Sequence, residues 1–173
     1  MPLMNIGDYI EFFDPDVIGA WLDWDAVTSS DCQVSETCSR SREYLAGLYT
    51  MWYATPDDTD GDWRGERDRP LRVGEARRTS RSWPQGRASG VTRLRDAFVR
   101  ENRPVHLVLP GYSLGNGRVL LLDGTHRAVA AHLSGLEVRV MVFSIEGPLD
   151  AAVLPDLAHY SVSPAGSAGE VDA

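Results

Sequence analysis

The sequence predicts an α/β domain of the α+β type carrying an N-terminal helical addition. Three observations lead to it. Residues 91–102, "VTRLRDAFVREN", have the apolar spacing of an amphipathic helix. An Asn-Gly pair at 116–117 stands between two apolar runs, the strongest short-range hairpin signal. A β-branched run, "EVRVMVFSI", then follows a second helical stretch. A chain of 173 residues, 43% of them hydrophobic, can bury one substantial core. The expected division is residues 1–87 for the addition, 88–160 for the α/β core, and 161–173 for a small, polar, disordered tail.

In the first half, residues 8–24 mix apolar and acidic positions around "DPD" and read as one or two short helices carrying Trp21 and Trp24. "SDCQVSETCS" reads as a polar, loop-like segment. Residues 41–54, "SREYLAGLYTMWYA", set Tyr44, Leu45, Leu48, Met51 and Trp52 at helical spacing, a stripe better suited to core than to a ligand box. "TPDDTDGD" breaks regular structure and reads as an exposed loop.

The second half is more regular. Val91, Leu94 and Phe98 share one face of the helix over 91–101, with Arg93, Asp96 and Arg100 towards water, and Pro104 ends it. "VHLVLP" is a strand, Asn116 and Gly117 turn the chain, and "RVLLLD" returns it. "HRAVAAHLSG" is a helix with Gly135 placed for its C-terminal cap. "EVRVMVFSI" closes the series as a strand.

Charge is divided unevenly. Residues 1–62 hold 13 acids and two arginines, 63–103 hold 12 arginines and five acids, and 104–173 hold three arginines and seven acids. The arginine block either neutralises the acidic block within the molecule or meets phosphates. A net charge of −8, with no helix-turn-helix or zinc-finger pattern, speaks against DNA as the partner. All 17 basic residues are arginine, which excludes lysine Schiff-base chemistry and a Walker-type phosphate loop. Cys32 and Cys38 lack histidines at metal spacing and read as incidental thiols, with a regulatory disulfide as the alternative. No structural metal is expected. The apolar runs are short, and "MPLMNIGDYIEFFDPD" lacks the basic start of a signal peptide, so no membrane association and a cytoplasmic location are expected.

The segment that carries chemistry is "VLLLDGTHRAVAAHL", residues 119–133. Leu120 to Leu122 anchor a strand, Gly124 lets the backbone turn, and the following residues present backbone N–H groups at a helix N-terminus, where anions bind. Thr125 offers a hydroxyl, His126 and Arg127 can donate to phosphate oxygens, and Asp123 can approach a metal-bound phosphate. The same residues also admit a structural reading, in which Asp123 or Thr125 caps the helix and Arg127 pairs with an acid.

"RLRDAFVRENRPVHLVLP", "GRVLLLDGTHRAVAA" and "LEVRVMVF" together resemble the ParB/sulfiredoxin-like superfamily over residues 88–145. In that fold a helix and hairpin lead to a loop of the type Asp-Gly-X-His-Arg that binds nucleotide phosphates. Its members include chromosome-partition CTPases, sulfiredoxins and free amino-acid kinases. Thr125 stands where a sulfiredoxin has its reactive cysteine, and only about 28 residues follow Ile145, too few for a partition protein's DNA-binding domain. The loop is most similar to that of the small-molecule kinases. The resemblance implies ATP or another nucleotide held by Gly124, Thr125, His126 and Arg127, with Mg2+ at Asp123. The kinases' upstream glutamate base has no match in "SRSWPQGR". Glu75 is the nearest upstream acid, and Asp123 and His126 are the other candidates for the catalytic role. The expected function is a nucleotide-dependent phosphotransferase acting on a small hydroxylated metabolite. The alternatives are a non-catalytic nucleotide- or partner-binding protein and a ParB-like nuclease.

Overall fold

The computed structural model describes residues 4–160, so the tail expected to be disordered lies outside the described residues. In chain order the elements are α1 (Ile6–Phe12), α2 (Trp24–Ser29), β1 (Gln33–Ser39), α3 (Arg42–Gly47), β2 (Tyr49–Ala54), β3 (Asp60–Gly61) and β4 (Arg69–Arg72). There follow a 3-10 segment (Val73–Ser82), α4 (Gln85–Glu101), β5 (Val105–Gly115), β6 (Arg118–Leu121), α5 (Thr125–Ser134), β7 (Val138–Glu146) and α6 (Leu157–Tyr160). The strands form one mixed seven-stranded sheet in the order β1-β7-β5-β6-β2-β3, with β4 also paired to β2. The fold is α/β, as the sequence predicts.

Residues 88–146 follow their local signals. Val91 is buried on α4, and Leu94 and Phe98 pack against the same core. The helix begins six residues before the apolar period does, directly after Pro84, and ends where Asn102 turns left-handed at φ 47°. β5 extends past residue 110 to Gly115, and Gly115, Asn116 and Gly117 turn the chain with φ of 79°, 54° and 72°. β6 returns antiparallel to β5, while β7 lies parallel to β5 from Val105↔Val138 to Tyr112↔Ile145.

The N-terminal region is not a helical addition. It contributes β1, β2, β3 and β4 to the same sheet, and the expected boundary between residues 87 and 88 falls inside α4. β1, expected as a loop, is an edge strand in register with β7 from Gln33↔Glu146 to Ser39↔Val140. Val34 is its single buried residue, so it shows no apolar alternation. The helix expected over 41–54 stops at Gly47 and gives way to β2. β2 buries side chains on both faces: Trp52 and Ala54 enter one core and Tyr49 packs against the other. A strand buried on both sides reads as a continuous apolar run, which mimics a helical stripe over so short a window. "TPDDTDGD" is a turn followed by β3, which pairs with Tyr53 and Ala54.

The sheet separates two cores. Leu107, Leu109 and Leu121 pack with α3, α4 and α5 on one face, whereas Tyr112, Leu114, Leu120 and Leu122 pack with α1, α2 and residues 153–160 on the other. Alternation along β5 therefore predicts a sharp contrast between neighbours. Leu109→Ala, at a fully buried site, should cost about 2 to 5 kcal/mol in urea denaturation. Val108→Ala, 39% exposed on the uncovered part of the other face, should cost under about 1 kcal/mol. Equal losses would contradict this assignment of faces.

Candidate functional site

The site forms where β6 leaves the sheet. Leu122 donates its N–H to the Pro110 carbonyl at 2.9 Å and accepts one from Ala20 at 3.1 Å, which fixes the end of the strand. Gly124 then turns at φ +81°, where a Cβ would stand 2.6 Å from Leu109 Cδ2, so both conformation and space call for glycine. α5 starts at once. Its N-cap is Gly124, which supplies no side-chain hydrogen bond, so neither Asp123 nor Thr125 caps the helix. The first N–H groups are left without a side-chain acceptor. Thr125 is 3% exposed, and among the described residues its buried Oγ1 has no hydrogen-bond partner, an uncommon state for a buried hydroxyl. Arg127 does pair with an acid, Asp123, at 3.8 Å, with both side chains over 40% exposed. Such a pair contributes at most about 1 kcal/mol and yields easily to a stronger anion.

β6 and β3 share one side of β2, meeting it at Tyr49 and at Tyr53–Ala54 respectively. Trp52 lies between these pairings and organises the wall of the site. Its ring packs edge-to-face with the His126 ring, centroids 5.1 Å apart, and with Trp83, centroids 5.3 Å apart, and the Arg87 guanidinium lies over it at 4.4 Å. Arg87 is paired in turn with Asp60, whose N–H donates to Ser82 Oγ at 2.6 Å. Burial and the nearby Arg87 push the His126 imidazole below the ordinary histidine value of 6.5, against a smaller opposite pull from Asp123. His126 is therefore neutral at neutral pH and able to accept a proton.

Asp123, Gly124, Thr125, His126 and Arg127 thus come together as one strand-to-helix turn. Glu75 does not join them. Its carboxylate accepts the Arg72 N–H at 3.0 Å and pairs with Arg69 at 3.6 Å, and among the described residues none of its hydrogen bonds or ion pairs reaches the loop. Trp52 is a core residue, as its apolar stripe predicts, and it also walls the site. The sequence does not single out Asp60 or Arg87, and Asp60 reaches the site through β2–β3 pairing, which has no local signature. Within the arginine block, Arg64, Arg69, Arg78 and Arg87 pair with Asp62, Asp58, Asp58 and Asp60, so the block does meet the acidic N-terminal part. Among the described residues no group of three or more His, Cys, Asp or Glu could hold a metal ion.

No protein-family model, curated protein or solved structure matches the chain. Among the described residues no helix is long and apolar enough to cross a membrane.

The surroundings of His126 generate a prediction with a defined sign. The folded-state value is lowered, so the unfolded chain takes up the proton first. The stability due to His126 is present above about pH 6.5 and is lost as pH falls through that value towards the folded-state pKa. NMR titration should place the His126 midpoint below 6.5, with Arg87→Ala raising it and Asp123→Asn lowering it further. A wild-type midpoint at or above 6.5 would contradict the packing described.

Proposed function

We propose that the 123–127 loop holds the phosphates of a nucleotide, and that the protein is a nucleotide-dependent phosphotransferase acting on a small hydroxylated metabolite. The observation that carries this reading is the uncapped N-terminus of α5 behind a left-handed glycine. Three further features support it. Among the described residues the Thr125 hydroxyl is buried without a partner, Arg127 is held by an exposed pair, and residues 88–145 resemble the ParB/sulfiredoxin-like superfamily. The α5 N–H groups and Arg127 would hold phosphate oxygens, and Asp123 would hold magnesium, which neutralises developing charge when bound. His126, the neutral imidazole of the loop, takes the proton from the substrate hydroxyl. The hydroxyl oxygen bonds to the terminal phosphorus as the bond to the bridging oxygen breaks, and the shortened nucleotide departs with that electron pair.

A second reading, nucleotide binding without transfer, is favoured by one specific fact: Glu75, Asp60 and Asp123 are each engaged with an arginine, so none of the three stands free as a carboxylate base. Product formation from a panel of hydroxylated metabolites with magnesium and nucleotide separates the two.

Calorimetric titration with nucleotides should show wild-type binding that Arg127→Ala weakens by about 1.5 to 3 kcal/mol, roughly one to two orders of magnitude. His126→Ala should weaken it less. Both variants should melt close to wild type, because the two side chains lie outside the cores. Unaltered binding by Arg127→Ala, or none by wild type, would end the phosphate-loop reading.

A further inference from the structure

We infer that a second cleft, on the sheet face that carries α1 and α2, binds an organic ammonium ion with an apolar body. The cleft encloses about 490 Å3, and its walls include Trp21, Met51, Trp63, Leu120, Leu154 and Asp156. Trp21 is 63% exposed and Trp63 43%, a large indole area left in water at the walls of a concave site.

Asp156 gives the cleft its sign. Its Oδ2 accepts from the Tyr53 hydroxyl at 2.6 Å and lies 3.3 Å from that of Tyr160. Both neighbours are neutral phenols. Among the described residues Asp156 has no ion pair, and its Oδ1 accepts no hydrogen bond. The carboxylate is therefore held in place with its charge uncompensated, beside aliphatic walls that favour an apolar ligand body.

Arg64 is the basic side chain of the cleft, and it does not answer Asp156. Its guanidinium lies over the Trp63 ring at 5.2 Å, and its pair with Asp62 is loose at 3.9 Å and exposed. The molecule thus already presents a cation to the Trp63 face, the position an alkylammonium would take. The walls are fastened before any ligand arrives. Ala20 is bonded to the Leu122 carbonyl, and the His159 ring nitrogens contact the Trp63 and Asp68 carbonyls at 2.6 and 3.1 Å. An anionic ligand would face Asp156 unfavourably, and a neutral one would bury it unpaired.

The inference is independent of the nucleotide reading, since binding is measured without nucleotide. The test is calorimetric titration of the full chain with phenethylammonium, 2-phenylethanol as the neutral isostere, and 3-phenylpropanoate as the anion. The ammonium should bind more tightly than the other two, and Asp156→Asn should weaken it about tenfold or more. Trp21→Ala and Trp63→Ala should each weaken it by a smaller factor, and Arg64→Ala should leave it unchanged or tighten it. Because Asp156→Asn touches the Tyr53 and Tyr160 hydroxyls, each variant is also melted thermally. If that variant does not fold, the exposed Trp21→Ala change decides. Absence of ammonium binding, equal binding of the alcohol, wild-type affinity in a folded Asp156→Asn or in Trp21→Ala, or loss of binding in Arg64→Ala would each overturn the inference.

Discussion

β6 leaves the sheet after Leu121 while its neighbour β2 runs on to Ala54, and the rest of the site depends on that difference in length. Were β6 longer, backbone pairing would continue beside Trp52. Instead Gly124 diverts the chain at φ +81°, and the N-terminus of α5 is set against β2 with the His126 ring on the indole. Leu109 sets the tolerance of this turn, because its Cδ2 occupies the space that a Cβ at position 124 would need. The parallel pairing of β5 with β7 demands a crossover, and β6 with α5 supplies it. Sheet topology, the glycine and the uncapped helix are therefore one arrangement.

Charge is distributed on the same plan. Acids at 58, 60 and 62, after β2, pair with arginines of the following block, and of these four pairs the one nearest the site, Asp60 with Arg87, is the least exposed. Arg87 acts in two directions: it lies over Trp52 and it disfavours the protonated form of His126. Guanidinium suits this double role, since its planar face stacks while its edge donates to a carboxylate. The exposed pairs add little stability.

Legibility in the sequence followed the range of the interactions. The hairpin, the turn at Gly124 and the cap at Gly135 are encoded within a few residues each, and Asn116-Gly117 and "LLLDGTHR" announce them. β1 was invisible because a polar edge strand carries no alternation, and its partner lies over a hundred residues away, as in Gln33↔Glu146. β2 was misread because burial on both faces erased its period. At the site, the five residues from Asp123 to Arg127 were legible for the same local reason. Asp60 and Arg87 were not, since pairing across 27 positions leaves no mark in either segment. Glu75, an upstream acid in sequence, holds the start of the 3-10 segment in the fold.

The central claim is that backbone N–H groups at the start of α5 form an anion site. Amide NMR spectra recorded as inorganic triphosphate, and then ATP with magnesium, are added would test it most directly. Saturable shifts are expected, centred on Gly124, Thr125, His126 and Arg127, with smaller ones at Trp52 and Arg87. Shifts confined to the exposed arginines at 77, 78 and 81, or scattered without saturation, would contradict it.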